Sequence, residues 1–255
     1  TLIGAIRASV GEANGVDWQA YRAGQQPHIE ALIGNQSDVT PPDTQFTGVF
    51  ISSNGERYYP MPLNWLGKKI KHGYEVFKMQ PSEQAMVCDL GKVRLPVLIE
   101  SDSNKTAGAK PLENLLILAS KLNELLSTTQ AYATLSQSDC LEKSDLFIEE
   151  ARLGIARNNA TRKAEEGKLY QTKHLRLKEG VALQLDCAGW QANQHSSLMT
   201  LGGEGRLAHL EIMPYQALPS IKAKTAKGII LTLATPAKFD NGWLPNDFTK
   251  VEKDG

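Results

Sequence analysis

An α+β fold built on antiparallel sheets is predicted from three observations. Strand-like and helix-like runs are intermixed along the chain, no regular strand-then-helix crossover spacing separates them, and glycine or proline punctuates them at short intervals. The pattern is compatible with two small βαββαβ modules, each a sheet covered by helices on one side. A boundary is expected near residue 150, giving segments 1–150 and 151–255. There an acidic stretch carrying Asp139, Glu142, Asp145, Glu149 and Glu150 against Lys143 abuts a basic one.

The elements follow in chain order. Ile3, Ile6 and Val10 recur at helical spacing and predict a short amphipathic helix over Thr1 to Val10, with Arg7 pointing outward. Phe46 to Ser53 and Glu56 to Tyr59 flank Asn54-Gly55, a dipeptide that supplies the two positive φ angles of a type I′ turn, so a hairpin is expected. Thr40-Pro41-Pro42 and Tyr59-Pro60-Met61-Pro62 favour extended backbone. Met86 to Leu90 reads as a short strand. Apolar residues at 112, 115, 116, 119, 122 and 126, after Pro111 at a first helical position, predict a core helix from Leu112 to Leu126. Beyond residue 150 the segments Lys168 to Leu177, Val181 to Cys187, Leu207 to Met213 and Ile229 to Ala234 read as strands, with a weak helical patch before Gly202.

Composition narrows the functional classes. With 28 Lys and Arg against 28 Asp and Glu, the net charge is zero, which argues against indiscriminate coating of nucleic acid and allows a localised groove. No apolar run is long enough to span a bilayer, so no membrane role is expected, and a cytoplasmic location is. Cys88, Cys140 and Cys187 are odd in number, far apart and without a C-x-x-C, which points to buried thiols in a reducing compartment and away from disulfides or zinc.

Charge is nonetheless gathered in one place. From Arg152 to Leu177 the residues Arg152, Arg157, Arg162, Lys163, Lys168, Lys173 and Arg176 face only Glu165 and Glu166, with Gly, Thr and Asn between them. This reads as a mobile basic loop feeding a strand. It suits a polyanion, because each phosphate neutralised by Arg or Lys releases counterions. A solvated surface loop would look similar. Leu201 to Leu207, LGGEGRL, removes side chains at Gly202, Gly203 and Gly205 and follows them with Arg206. It is either a tight turn between strands or a place where backbone N–H groups approach a sugar-phosphate chain.

The wording of these segments is specific in combination. R-x-G-I-A-R, T-R-x-A-x-E-G-x-L-Y and H-L-R-L in the basic stretch occur with TLIGAIRASV (Thr1 to Val10), RYYPMPL (Arg57 to Leu63), the segment Pro111 to Leu126, LGGEGRL, and GIILTLATPAKFDNGWLP (Gly228 to Pro245). Together they resemble the third-subunit family of the Cmr complex, a type III-B CRISPR effector of the RAMP superfamily. The resemblance implies two ferredoxin-like, RRM-related domains and a non-catalytic RNA-binding subunit without cofactors, acting in antiviral defence. It implies a cap on the 5′ tag of the guide RNA within a hetero-oligomeric ribonucleoprotein, beside the large polymerase-like subunit and a backbone RAMP subunit. By the same resemblance Arg152, Arg157, Arg162, Lys163 and Arg176 pair with phosphates of the tag, and Arg7 contributes from the opening helix. Gly202, Gly203 and Gly205 permit close approach, Arg206 adds a fork, and the loop from Asn158 to Glu166 projects as a thumb. The family has a strand upstream of TLIGAIR and further strands past GWLP that this chain lacks, so the chain is expected to be part of a longer protein. At Asn158, where the family favours an acidic residue, a salt bridge stiffening the loop base is in doubt.

No catalytic constellation is evident. The histidines His28, His72, His174, His195 and His209 form no H-E-x-x-H, H-x-E or Cys-paired motif, and no G-x-S-x-G elbow occurs. Related RAMP proteins cut guide RNA with general acids and bases, so His28, His174 and Tyr170 are the candidates for the alternative reading, a metal-independent RAMP endoribonuclease. Glu149-Glu150 and Glu165-Glu166 are the carboxylate pairs nearest in kind to a Mg²⁺ site, but no metal and no active site are expected. A third reading is an adaptor whose basic loop docks on an acidic protein surface.

Overall fold

The computed structural model describes residues 1–35, 41, 43–89, 91–190, 194–202, 205–220, 230–233, 237–240, 242 and 245, and of Glu165 and Glu166 the backbone alone. In chain order the helices α1 (Leu2–Ala13), α2 (Trp18–Arg22) and α3 (Pro27–Ile33) lead into strands β1 (Gln45–Ser53), β2 (Glu56–Pro60), β3 (Trp65–Ile70), β4 (Gly73–Pro81), β5 (Met86–Cys88), β6 (Gly91–Val93) and β7 (Pro96–Leu98). Helix α4 (Ser103–Thr106), β8 (Lys110–Pro111), β9 (Leu116–Leu118), α5 (Ala119–Ser127), β10 (Tyr132–Ser136), β11 (Cys140–Leu141) and α6 (Lys143–Leu146) follow. The last described elements are β12 (Phe147–Arg157), β13 (Ala164–Leu177), β14 (Val181–Ala188), β15 (Leu198–Leu201) and β16 (Arg206–His209). Every strand pair with a described register is antiparallel, so the α+β class holds. Two compact units result: Thr1–Val49 with Leu185–Ala217, and Phe50–Gln184 with Leu218–Gly255. Residue 150 falls inside the second unit, within β12.

The first unit holds the three opening helices. Thr1 caps α1 by accepting from the Gly4 N–H at 3.2 Å, and Ala5, Ser9, Val10 and Gly11 give the helix a buried stripe. Asp17 caps α2 through the N–H groups of Gln19 and Ala20, and Pro27 opens α3. Val10, Tyr21, Ile29 and Ile33 form the core, with Trp18 and Trp190 packed on it. Trp190 donates its indole N–H to the Leu32 carbonyl at 2.8 Å.

In the second unit the hairpin expected at Asn54-Gly55 is present. Their φ angles are 51° and 84°, and Ile51 faces Tyr58 across it. The sheet order is β11-β9-β2-β1-β14, with β10-β4-β3-β8 as a second sheet. Phe50, Tyr59, Met61, Trp65, Val76, Ile117, Leu122, Leu125 and Leu135 make the core. Arg57 is buried beside them, its guanidinium 4.5 Å from the Phe50 ring centroid and its Nε donating to Gln184 Oε1.

Four expectations are corrected. The helix predicted from Leu112 begins only at Ala119: residues 112–115 turn, and Leu116–Leu118 is strand β9, with Ile117 opposite both Tyr59 and Cys140. Cross-strand burial of Ile117 outweighs the local helical spacing. Leu198–Leu201 is a strand paired with β16 and not a helical patch. Of the two other late strands expected, β16 ends at His209, while residues 230–233 form no regular element and 229 and 234 lie outside the described residues. Only Cys140 is a buried thiol; Cys88 and Cys187 are exposed. Burial, with Asp139 and Glu142 nearby, pushes the Cys140 thiol up to about 12. A brief iodoacetamide pulse at pH 8 is therefore expected to label Cys88 readily and Cys140 only after unfolding, which peptide mass measurement checks.

Candidate nucleic-acid interface

The basic stretch forms a long two-stranded hairpin, β12 against β13, and not a mobile loop. The strands pair from Phe147↔Leu177 at the base to Ile155↔Leu169, and an irregularity between Ile155 and Arg157 shifts the register to Arg157↔Ala164. Because opposed residues share a face and alternate residues change face, the register sorts the side chains. One face carries Phe147, Leu153, Ile155, Leu169, Leu175 and Leu177, with Glu149, Gln171 and Lys173 among them. The other carries Arg152, Tyr170, Thr172, His174 and Arg176 with Glu150, and Ile148 opposite Arg176. The apolar face is open: Leu153 is 72% and Leu169 66% exposed.

On the polar face Glu150 gathers two of the expected phosphate ligands. Arg152 Nη2 lies 3.4 Å from one carboxylate oxygen, and Arg176 pairs with the other. Ion pairs this exposed contribute little net stability, so an incoming phosphate can take the place of Glu150. On the opposite face Glu149 sits 3.3 Å from Lys173.

The tip is ordered by its own backbone. Asn158 Oδ1 accepts from the N–H groups of Ala160 and Thr161, both at 3.0 Å, and the Asn158 and Lys163 backbones hydrogen-bond at 2.9 Å. Asn158 thus braces the loop base through hydrogen bonds. Arg162 adopts φ 57°, and its carbonyl accepts from Arg157 Nε at 3.0 Å. Among the described residues, the side chains of Arg162 and Lys163 have no ion-pair partner. The hairpin therefore brings Arg152, Arg157, Arg162, Lys163 and Arg176 onto one projection, with charge at its base partly balanced and charge at its tip open.

The remaining expected ligands lie in the other unit. Gly202 (φ 83°) follows β15 and Gly205 (φ 65°) precedes β16, Arg206 begins β16 opposite Leu201, and Gly203 lies outside the described residues. Arg7 does not point outward. Its guanidinium donates to the carbonyls of Ile33 and Asn35 and to the Tyr21 hydroxyl, holding the carbonyl end of α3. Arg7, Arg22, Trp18, Tyr21 and Asn35 line a cleft of about 460 Å³. A second cleft, about 690 Å³ at the foot of the hairpin, is lined by Glu113, Glu142 and Glu149 against Lys143, a poor environment for phosphate.

With this geometry in view, comparison with known families is decisive: the model of the CRISPR-associated Cas_Cmr3 proteins matches residues 1–253. The chain belongs to the Cas_Cmr3 family. That is the family the order of its sequence motifs indicated. No curated protein sequence matches it. Among solved structures, a chain in the cryo-EM structure of type III-B Cmr-beta bound to cognate target RNA and AMPPnP is similar, with 16% identity and a TM-score of 0.37. The match covers 84% of this chain and 54% of that one, so the Cas_Cmr3 chain spans about half the length of that relative.

The catalytic candidates of this Cas_Cmr3 chain are dispersed. His174 and Tyr170 stand four residues apart on one strand face, about 13 Å along it, a separation too large to flank one phosphodiester. His28 is exposed on α3 in the first unit. Among the described residues no three His, Cys, Asp or Glu side chains converge as a metal site requires. No helix among them is long and apolar enough to cross a membrane.

Proposed function

We propose that this Cas_Cmr3 protein is a non-catalytic RNA-binding subunit of a type III-B CRISPR ribonucleoprotein, capping the 5′ tag of the guide RNA in antiviral defence. The observation that carries this reading is the two-faced hairpin. Its polar face and tip hold Arg152, Arg157, Arg162, Lys163 and Arg176 at the disposal of a phosphate chain. Its other face presents apolar residues that favour cover by a neighbour.

In this reading the hairpin is the thumb that wedges against the guide. The apolar face docks on a neighbouring protein, either the large polymerase-like subunit or a backbone RAMP subunit. Gly202, Gly205 and Arg206 supply a second contact to the same strand. The two modules are ferredoxin-like relatives of the RRM, and the cell compartment is the cytoplasm. The balanced net charge supports local gripping over general coating.

Changing Arg157 and Arg162 to Ala together is expected to weaken binding of repeat-tag RNA about tenfold at low salt and to flatten the dependence of log K on log salt by about two units. Fluorescence anisotropy over a salt series measures both. Unchanged affinity at low and high salt would sink the assignment. The endoribonuclease reading is tested by incubating the protein with repeat RNA in EDTA: cleavage lost on His174→Ala or His28→Ala would favour it.

A further inference from the structure

The polar face of the hairpin holds one aromatic ring among its charges. Tyr170 is 57% exposed and stands directly across from Gly154. A Cβ built on Gly154 would lie 2.2 Å from Tyr170 Cζ, 2.5 Å from Cε2 and 2.5 Å from the hydroxyl oxygen, so the ring lies across the glycine backbone in the space a side chain would fill. The glycine holds the ring down against the strand, and no other ring or cation stacks on it among the described residues. Arg152 is the next residue of β12 on the same face, one two-residue step of about 7 Å away, within reach of a phosphate attached to whatever stacks on the ring. Beyond Tyr170 come the open cations of the tip.

We infer that Tyr170, seated on Gly154 between Arg152 and the tip cations, is a stacking platform for one nucleobase of a single strand. The inference rests on the RNA-binding reading of the hairpin and adds to it a base contact that phosphate pairing does not contain. Stacking of this kind accepts any base, because every base has a π face, and it favours purines through their larger area. The site thus tells nucleic acid from other polyanions without reading sequence.

The test uses two fluorescent ligands of equal charge, an octamer of riboadenosine and an abasic ribose-phosphate octamer, against the full chain. Tyr170→Ala is expected to lose about tenfold in affinity for the adenosine octamer and less than about twofold for the abasic one. Tyr170→Phe retains the discrimination. Gly154→Ala loses it although Tyr170 is retained, because the added methyl displaces the ring; thermal melting of each variant shows that the fold is kept. Equal losses on both ligands, no loss on either, or a Phe variant as weak as the Ala variant would each overturn the platform. The phosphate reading is scored separately by the Arg157→Ala, Arg162→Ala protein. If that protein loses both ligands alike while Tyr170→Ala loses neither, the phosphate grip stands and the platform falls. If it loses neither while Tyr170→Ala still discriminates, the platform stands and the phosphate grip falls. Binding of neither octamer by the wild type, with Tyr170 shielded by a partner protein, makes the ring a protein contact and ends the inference.

Discussion

Replacing Gly73 by Ala is expected to destabilise the second unit by about 3 kcal/mol or more, a fall in melting temperature of about 10 °C for a chain of this size. Two costs add. Gly73 has φ 143°, a region that L-residues with a Cβ rarely enter. A Cβ there would lie 1.9 Å from the Leu135 carbonyl oxygen and 2.9 Å from its carbon. The obstruction is backbone and cannot rotate away, so relief requires parting β4 from β10 where Gly73 pairs with Ser136 and Tyr74 with Leu135. Val76 and Leu135 are both fully buried beside that join, so any parting opens the core. Calorimetry on the variant checks the result; a melting temperature within 2 °C of wild type would show that the hairpin turn at Lys71-His72 yields at little cost.

What the sequence made legible was chemistry that acts locally. Asn54-Gly55 carries its positive φ angles wherever it stands, so the β1–β2 hairpin could be read from two letters. The helical spacing of Ile3, Ile6 and Val10 marks α1 just as directly. The segment from 112 to 126 failed for the opposite reason. Its leucine spacing satisfies a helix throughout, yet Ile117 is claimed by Tyr59 on one side and Cys140 on the other, partners 58 and 23 residues away that no window contains.

The candidate interface divides along the same line. Clustering of Arg and Lys after residue 150 was visible as charge, and the glycine-rich segment as either a turn or a place of close backbone approach. The two-faced strand pair was hidden, because the register shift between Ile155 and Arg157 breaks the alternation, and Gly, Thr and Asn between the arginines imitate a loop. Arg7 was misjudged because its partners, the carbonyls of Ile33 and Asn35, reach it only through the packing of α1 on α3. The pairing of Glu150 with Arg176, and the lodging of Tyr170 on Gly154, are likewise cross-strand facts.

Cutting the hairpin back so that Asn-Gly joins Glu150 directly to His174 is expected to lower affinity for tag RNA by about a hundredfold or more at low salt, while the melting temperature shifts by less than about 3 °C. The stability half follows from exposure. Leu153, Ile155, Leu169 and Tyr170 are all more than half exposed, and the core of this unit is assembled from residues outside the excised segment. Removing residues so open to solvent forfeits little burial and leaves the base pairs Ile148↔Arg176 and Phe147↔Leu177 intact. The binding half follows from charge: Arg152, Arg157, Arg162, Lys163, Lys168 and Lys173 leave together, and Arg176 stays paired with Glu150. A large fall in melting temperature would mean that the hairpin supports the fold. A retained affinity would move the RNA contact to Gly202, Gly205 and Arg206 of the other unit, where glycines stand beside a guanidinium.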